Sequence, residues 1–216
     1  MAIRMTRRIT RRDFAAVAGG FLLSTKAVAQ TETPLLTRPI PGSGERIPAV
    51  GLGTAYVFDE NSEATRSKAD AVVQALVNNG GRLIDTASTY GDAESVLGEV
   101  TATAGLREKI FIATKLESPD SQELKRSLTR LKTASVDLLQ LHNVRNKQQS
   151  LQRFKNWKKQ GVCRYVGITS TFHRDYPAVE AVLEREKPDF VSTIHSITAG
   201  LRKPSCHWPP KLEPAC

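Results

Sequence analysis

Short apolar runs alternate with amphipathic stretches of helical period along most of this chain, and that alternation restricts it to a parallel α/β fold. Leu35 to Ile47 reads as a hairpin turning at Pro41-Gly42-Ser43-Gly44, and Ala49 to Gly53 as a first buried strand. Ser67 to Asn79 has helical spacing, with Ala71, Val72, Ala75 and Leu76 on its apolar side, and stops at Gly80-Gly81. Leu83-Ile84, Ile110 to Ala113, Val136 to Leu141, Arg164 to Ile168 and Phe190-Val191 read as further strands. Between them lie expected helices over Ala93 to Thr103, Pro119 to Leu131 (capped by Ser118), Leu151 to Gln160 and Tyr176 to Arg185.

The strands are apolar on both faces, as strands covered by helices should be. Two architectures accept about six such β/α units: a doubly wound sheet and a TIM-type (β/α)8 barrel. A doubly wound nucleotide fold usually carries G-x-G-x-x-G after its first strand. Gly51-Leu52-Gly53-Thr54-Ala55-Tyr56 lacks the third glycine, which favours the barrel, here incomplete. In a barrel, functional side chains sit at the C-terminal ends of strands.

Four polar residues stand at such ends. Asp85 follows Leu83-Ile84, Tyr90 lies five residues on, Lys115 follows Ile112-Ala113-Thr114, and His142 follows Leu138-Leu139-Gln140-Leu141. These residue types suit carbonyl reduction. Hydride addition to a carbonyl carbon builds charge on oxygen, so a positioned proton donor lowers the barrier. A tyrosine hydroxyl, with a reference pKa of ~10, is a poor donor at neutral pH unless a neighbouring ammonium eases release of its proton. An aspartate beside that lysine keeps it charged and in place, and a neutral histidine can donate a hydrogen bond to the carbonyl oxygen.

Taken together, Leu83-Ile84-Asp85-Thr86-Ala87-Ser88-Thr89-Tyr90-Gly91, Ile112 to Lys115 and Asp137 to His142 resemble the Asp, Tyr, Lys and His signatures of the aldo/keto reductases. The resemblance covers roughly residues 35–191. It implies a barrel enzyme that reduces small aldehydes and ketones with NADP(H), with Asp85, Tyr90, Lys115 and His142 as the catalytic set. It also implies cofactor contacts from Gly53 and Thr54 near the nicotinamide ribose, from Asp85, and from Thr169 and Ser170, which stand where the family often has Ser-Asn on the carboxamide. Past Val191 the pattern departs from the family. Residues 192–216 hold four prolines and two cysteines without helical or strand period, which is the mark expected of a shifted reading frame near Ser192. A barrel needs about 250 residues, so the resemblance implies a truncated and inactive reductase as encoded. The alternative is a non-catalytic NADP(H)-binding or interaction module on a partial barrel.

The N-terminus reads differently. Arg11-Arg12-Asp13-Phe14 precedes an apolar run of about ten residues, half of what a membrane span needs, and Ala27-Val28-Ala29 offers a small-x-small cleavage site. Residues 1–29 therefore resemble a twin-arginine (Tat) signal peptide. That leader implies the Tat export machinery as a partner, folding before export, a periplasmic location and no stable membrane anchor. The leader also carries about half of the net charge of +9. What remains is too mildly basic, and too poor in interleaved aromatics, for a nucleic-acid partner. Cys163, Cys206 and Cys216 show no metal-ligand or disulfide spacing and read as unpaired thiols.

Overall fold

A computed structural model describes residues 35–193. The leader expected over residues 1–29 and nearly all of the aberrant tail expected over 192–216 lie outside the described residues.

The described chain begins with a hairpin, β1 (Thr37–Pro39) against β2 (Arg46–Pro48), with Thr37 opposite Pro48. Then β-strands and helices alternate: β3 (Leu52–Gly53), α1 (Glu63–Asn78), β4 (Leu83–Asp85), α2 (Ala93–Thr103), β5 (Phe111–Leu116), α3 (Ser121–Arg130), β6 (Val136–Leu141), α4 (Gln152–Lys159), β7 (Cys163–Ser170), α5 (Tyr176–Glu186) and β8 (Phe190–Thr193). The six strands β3 to β8 form one parallel sheet whose spatial order is the chain order. A doubly wound sheet reorders its strands about a switch point, whereas a barrel adds each strand beside the last. The sheet is therefore part of a (β/α) barrel, as the missing third glycine suggested.

Two separate apolar clusters bear this out. Ile84, Ile112, Leu139, Leu141, Val166 and Ile168 join Val96, Leu97, Leu124, Phe154 and Val179 from the helices in the larger one. Phe111, Ala113, Leu138 and Tyr165, on the alternate register of the same strands, join Ile40 and Ile47 from the hairpin in the smaller one. One face of the sheet thus packs on helices and the other encloses a core of its own, closed below by the hairpin. The Glu45 carboxylate locks that hairpin, taking a hydrogen bond from Arg82 at 3.0 Å and one from the Tyr165 hydroxyl at 2.7 Å. Because the Tyr165 proton is used there, Ser43 donates to the Tyr165 oxygen at 2.7 Å. With the N-terminal end covered, the C-terminal end of the sheet is the face available for chemistry.

The boundaries of α2 and β6 fall where the pattern places them; others move for identifiable reasons. The first helix starts at Glu63, because Ser62 accepts from the Thr65 amide at 3.1 Å and Glu63 favours the first turn. Its buried residues are Ala69 and Val73, while Ala71, Val72 and Ala75 are exposed, so the expected apolar face was rotated. Asp120, not Ser118, caps α3, accepting from the amides of Gln122 and Glu123. Val50 is exposed and β3 is two residues long, so the first strand is an edge strand rather than a buried one. Strand β5 runs on to Leu116, which places Lys115 inside the strand.

Candidate active site

Lys115 is the centre of the site. It lies on the inward register of β5, two residues above Ala113, and is buried. An ammonium has three N–H groups and no acceptor, and here each has an oxygen. Lys115 Nζ donates to Asp85 Oδ2 at 2.5 Å, to the Thr86 carbonyl at 2.8 Å and to Tyr90 Oη at 3.4 Å. Since the Tyr90 oxygen accepts from lysine, its own proton is free to point elsewhere.

Backbone ladders hold these groups beyond the ends of the strands. The Thr86 amide donates to the Ala113 carbonyl at 2.9 Å, Ser88 to Lys115 at 3.0 Å and His142 to Leu116 at 2.8 Å. Gly91 ends the Tyr90 loop at φ 54°, where a Cβ would collide with the Asp59 carbonyl, so the loop turns as it does only with glycine.

His142 is buried, and its ring meets that of Tyr90 edge-on at 5.9 Å between centroids. Burial pushes the imidazole below its ordinary value, the Glu117 carboxylate pulls it upward, and the net direction is down. Glu117 Oε1 sits 2.5 Å from His142 Nδ1. The four residues expected from the sequence are therefore brought together: Asp85, Tyr90 and Lys115 in direct contact, and His142 against the Tyr90 ring.

Two neighbours escaped the sequence reading. Glu117 lies one residue past the end of β5 and two after Lys115, and that place beside a strand end is the one signal it carries in the sequence. Asn143 adopts a left-handed backbone at φ 56°, a conformation asparagine tolerates better than most residues. Its amide donates to Thr169 Oγ1 at 2.9 Å, and its Oδ1 accepts from the Thr171 amide at 3.0 Å and the Thr171 hydroxyl at 2.8 Å. Asn143 thereby ties the end of β6 to the end of β7 directly behind His142.

The expected cofactor contacts line the same rim unevenly. The backbone at Gly53 faces open space, and the Thr54 amide pairs with the Asp85 carbonyl at 3.0 Å. Thr54 Oγ1 and Gln140 Nε2 are buried and have no hydrogen-bond partner among the described residues. Asp85 is part-exposed, with Oδ2 engaged by lysine. Thr169 holds Asn143, and Ser170 donates to the Phe172 carbonyl at 3.3 Å on the register of Val166 and Ile168. Unsatisfied buried polar atoms are rare in folded proteins and mark places where a further partner belongs. The open backbone at Gly53, the orphaned Thr54 hydroxyl and the part-exposed Asp85 carboxylate fit a polar, hydroxyl-bearing ligand such as a nucleotide.

A rim of this kind, on parallel strands added in chain order, defines a (β/α)-barrel protein with its chemistry at the C-terminal face. The family model described as "Aldo/keto reductase family" matches residues 49–197, and the chain belongs to that family. It is similar to an aldo-keto reductase of Mycolicibacterium smegmatis, 36% identical over 133 residues, which are 56% of this chain and 44% of the relative. It is also similar to methylglyoxal reductase YeaE of Escherichia coli, 40% identical over 104 residues, covering 44% of this chain and 35% of that protein. Among solved structures, an aldo-keto reductase from Klebsiella pneumoniae in complex with NADPH superposes with a TM-score of 0.57 at 26% identity, over 70% of this chain and 55% of that one. The chain thus spans about half the length, or less, of the relatives it matches.

Proposed function

We propose that the site serves NADP(H)-dependent reduction of small aldehydes and ketones, with Tyr90 as the proton donor. The observation that carries this reading is the saturation of Lys115. With all three N–H groups spent on Asp85, Thr86 and Tyr90 Oη, the Tyr90 O–H is left as the donor facing the rim. Bound NADPH would supply the hydride, and Gly53, Thr54, Asp85, Thr169 and Ser170 are the residues proposed to hold it. Tyr90 gives its proton to the carbonyl oxygen as charge develops there, and the Lys115 ammonium stabilises the phenolate left behind. Asp85 balances the buried ammonium, so the charge stays in place between turnovers. The phenolate regains its proton from solvent. A relative that is a methylglyoxal reductase and a structural neighbour that holds NADPH support the substrate and cofactor classes.

Calorimetric titration of the full chain with NADPH, followed by turnover assays on small aldehydes, tests this. Saturable binding with NADPH consumption supports the reading. Binding without turnover supports the non-catalytic module instead, and the absence of binding removes both. Residues 1–29 are proposed to direct Tat export to the periplasm, checked by locating a reporter fused behind them. The proposed frame shift near Ser192 is checked by sequencing the gene through that codon.

A further inference from the structure

The contact between Glu117 and His142 decides what the histidine can offer a substrate. A neutral imidazole carries one proton on two nitrogens, and the partner of one nitrogen fixes which of them holds it. Nδ1 lies 2.5 Å from Glu117 Oε1. That same oxygen takes the Thr89 hydroxyl at 3.5 Å, and the other carboxylate oxygen faces the Arg145 guanidinium at 3.9 Å. A group surrounded by donors is an acceptor, so the proton in the contact belongs to Nδ1. Nε2 has no hydrogen-bond partner among the described residues.

We infer that Glu117 is a positioning residue that holds the His142 proton on Nδ1, so that Nε2 accepts from a hydroxyl when the ring is neutral and donates to a carbonyl oxygen only as the imidazolium. This reverses the expectation that a neutral histidine donates to the substrate. It rests, for the carbonyl oxygen, on the reductase reading of the rim.

The charged and titratable groups facing the ring are Glu117 and Lys115 from β5 and its extension, Asp85 from β4 and Tyr90 from the following loop, with Arg145 behind Glu117. Burial outweighs the carboxylates, and Lys115 adds to the lowering, so the imidazolium is held below its ordinary range. Reduction therefore gains an acid limb: the rate falls as pH rises through the lowered His142 titration.

Nitrogen NMR of the full chain, labelled at its four histidines, reads the tautomer directly, with His142→Gln assigning the signal. The expected result is a neutral ring protonated at Nδ1, with Nε2 showing the unprotonated shift. In Glu117→Gln the amide can turn its NH2 toward Nδ1, and the proton moves to Nε2. A wild-type ring protonated at Nε2 overturns the inference, whether or not the variant folds. So does a tautomer that Glu117→Gln leaves unchanged. Where the chain turns over aldehydes, the acid limb should vanish in Glu117→Gln while the wild type keeps a tenfold fall per pH unit. Absence of NADPH binding with the expected tautomer would sink the reductase reading and leave the Glu117 assignment standing.

Discussion

Asp85 Oδ2 lies 2.5 Å from Lys115 Nζ although Asp85 is paired in register with Ala113, two residues lower on β5. The lysine side chain therefore reaches back across the rim, and its three hydrogen bonds draw β4, the Tyr90 loop and β5 together. Lys115→Met keeps the length and removes the charge. It strands the Thr86 carbonyl inside the rim, at a cost of about 1–3 kcal/mol. Asp85 is part-exposed and recovers water, so its carboxylate adds little to that cost. The expected fall in Tm is roughly 2–4 °C for each kcal/mol in a chain of this size. Thermal unfolding of parent and variant checks it, and an unchanged Tm would mean the lysine contacts do not hold the rim.

Tyr90→Phe separates chemistry from structure. The hydroxyl accepts only the longest of the three lysine bonds, at 3.4 Å, while the ring keeps its contact with His142. Stability should change by less than about 1 kcal/mol, and NADPH binding should persist. Aldehyde reduction by the chain should fall by about two to four orders of magnitude. Retention of full turnover would remove Tyr90 as the acid.

How much of this was readable in advance depends on which physical signal each residue carried. The order of strands and helices was legible because apolar runs and helical spacing are local. The Asp85, Tyr90, Lys115 and His142 set was legible because strand ends converge in a barrel whatever the loops do. The face of α1 was not, because burial there is decided by packing on the neighbouring α2 and not by local spacing. Glu117 stayed hidden because its partner is 25 residues away, just past the end of another strand. Asn143 stayed hidden because a left-handed backbone leaves only a weak mark on residue choice.

Cys163 begins β7 on the helix-packed side of the sheet and is buried. Burial pushes its thiol up to about 12, so almost no thiolate exists near neutral pH. Iodoacetamide should leave Cys163 unlabelled in the folded chain and modify it in denaturant, as mass spectrometry of the peptide would show. Rapid labelling without denaturant would mean that the outer layer over β7 opens readily.

Glu94 contributes one part of the pH dependence of stability. It is 1% exposed, on α2 between β5 and α3. Its Oε1 accepts from the Thr114 hydroxyl at 2.7 Å and from Ser127, while Oε2 has no hydrogen-bond partner among the described residues and faces Arg130 at 3.9 Å. Burial raises the carboxyl above its ordinary value, and the hydrogen bonds from Ser127 and Thr114, with Arg130, only partly oppose this. The folded state therefore holds this proton where the unfolded chain has released it. Its contribution is fully present below the ordinary carboxylate value and is lost as pH rises through the elevated one. Glu94→Gln keeps an oxygen for Thr114 and Ser127 and never ionises. Parent and variant should match in acid. Toward neutral pH the variant should gain on the parent, by up to about 1–3 kcal/mol if the unsatisfied buried oxygen bears its full cost. Denaturant unfolding at a series of pH values checks this, and a parent whose lead over the variant grows with pH would show that the ionised carboxylate, paired with Arg130, is the favoured form.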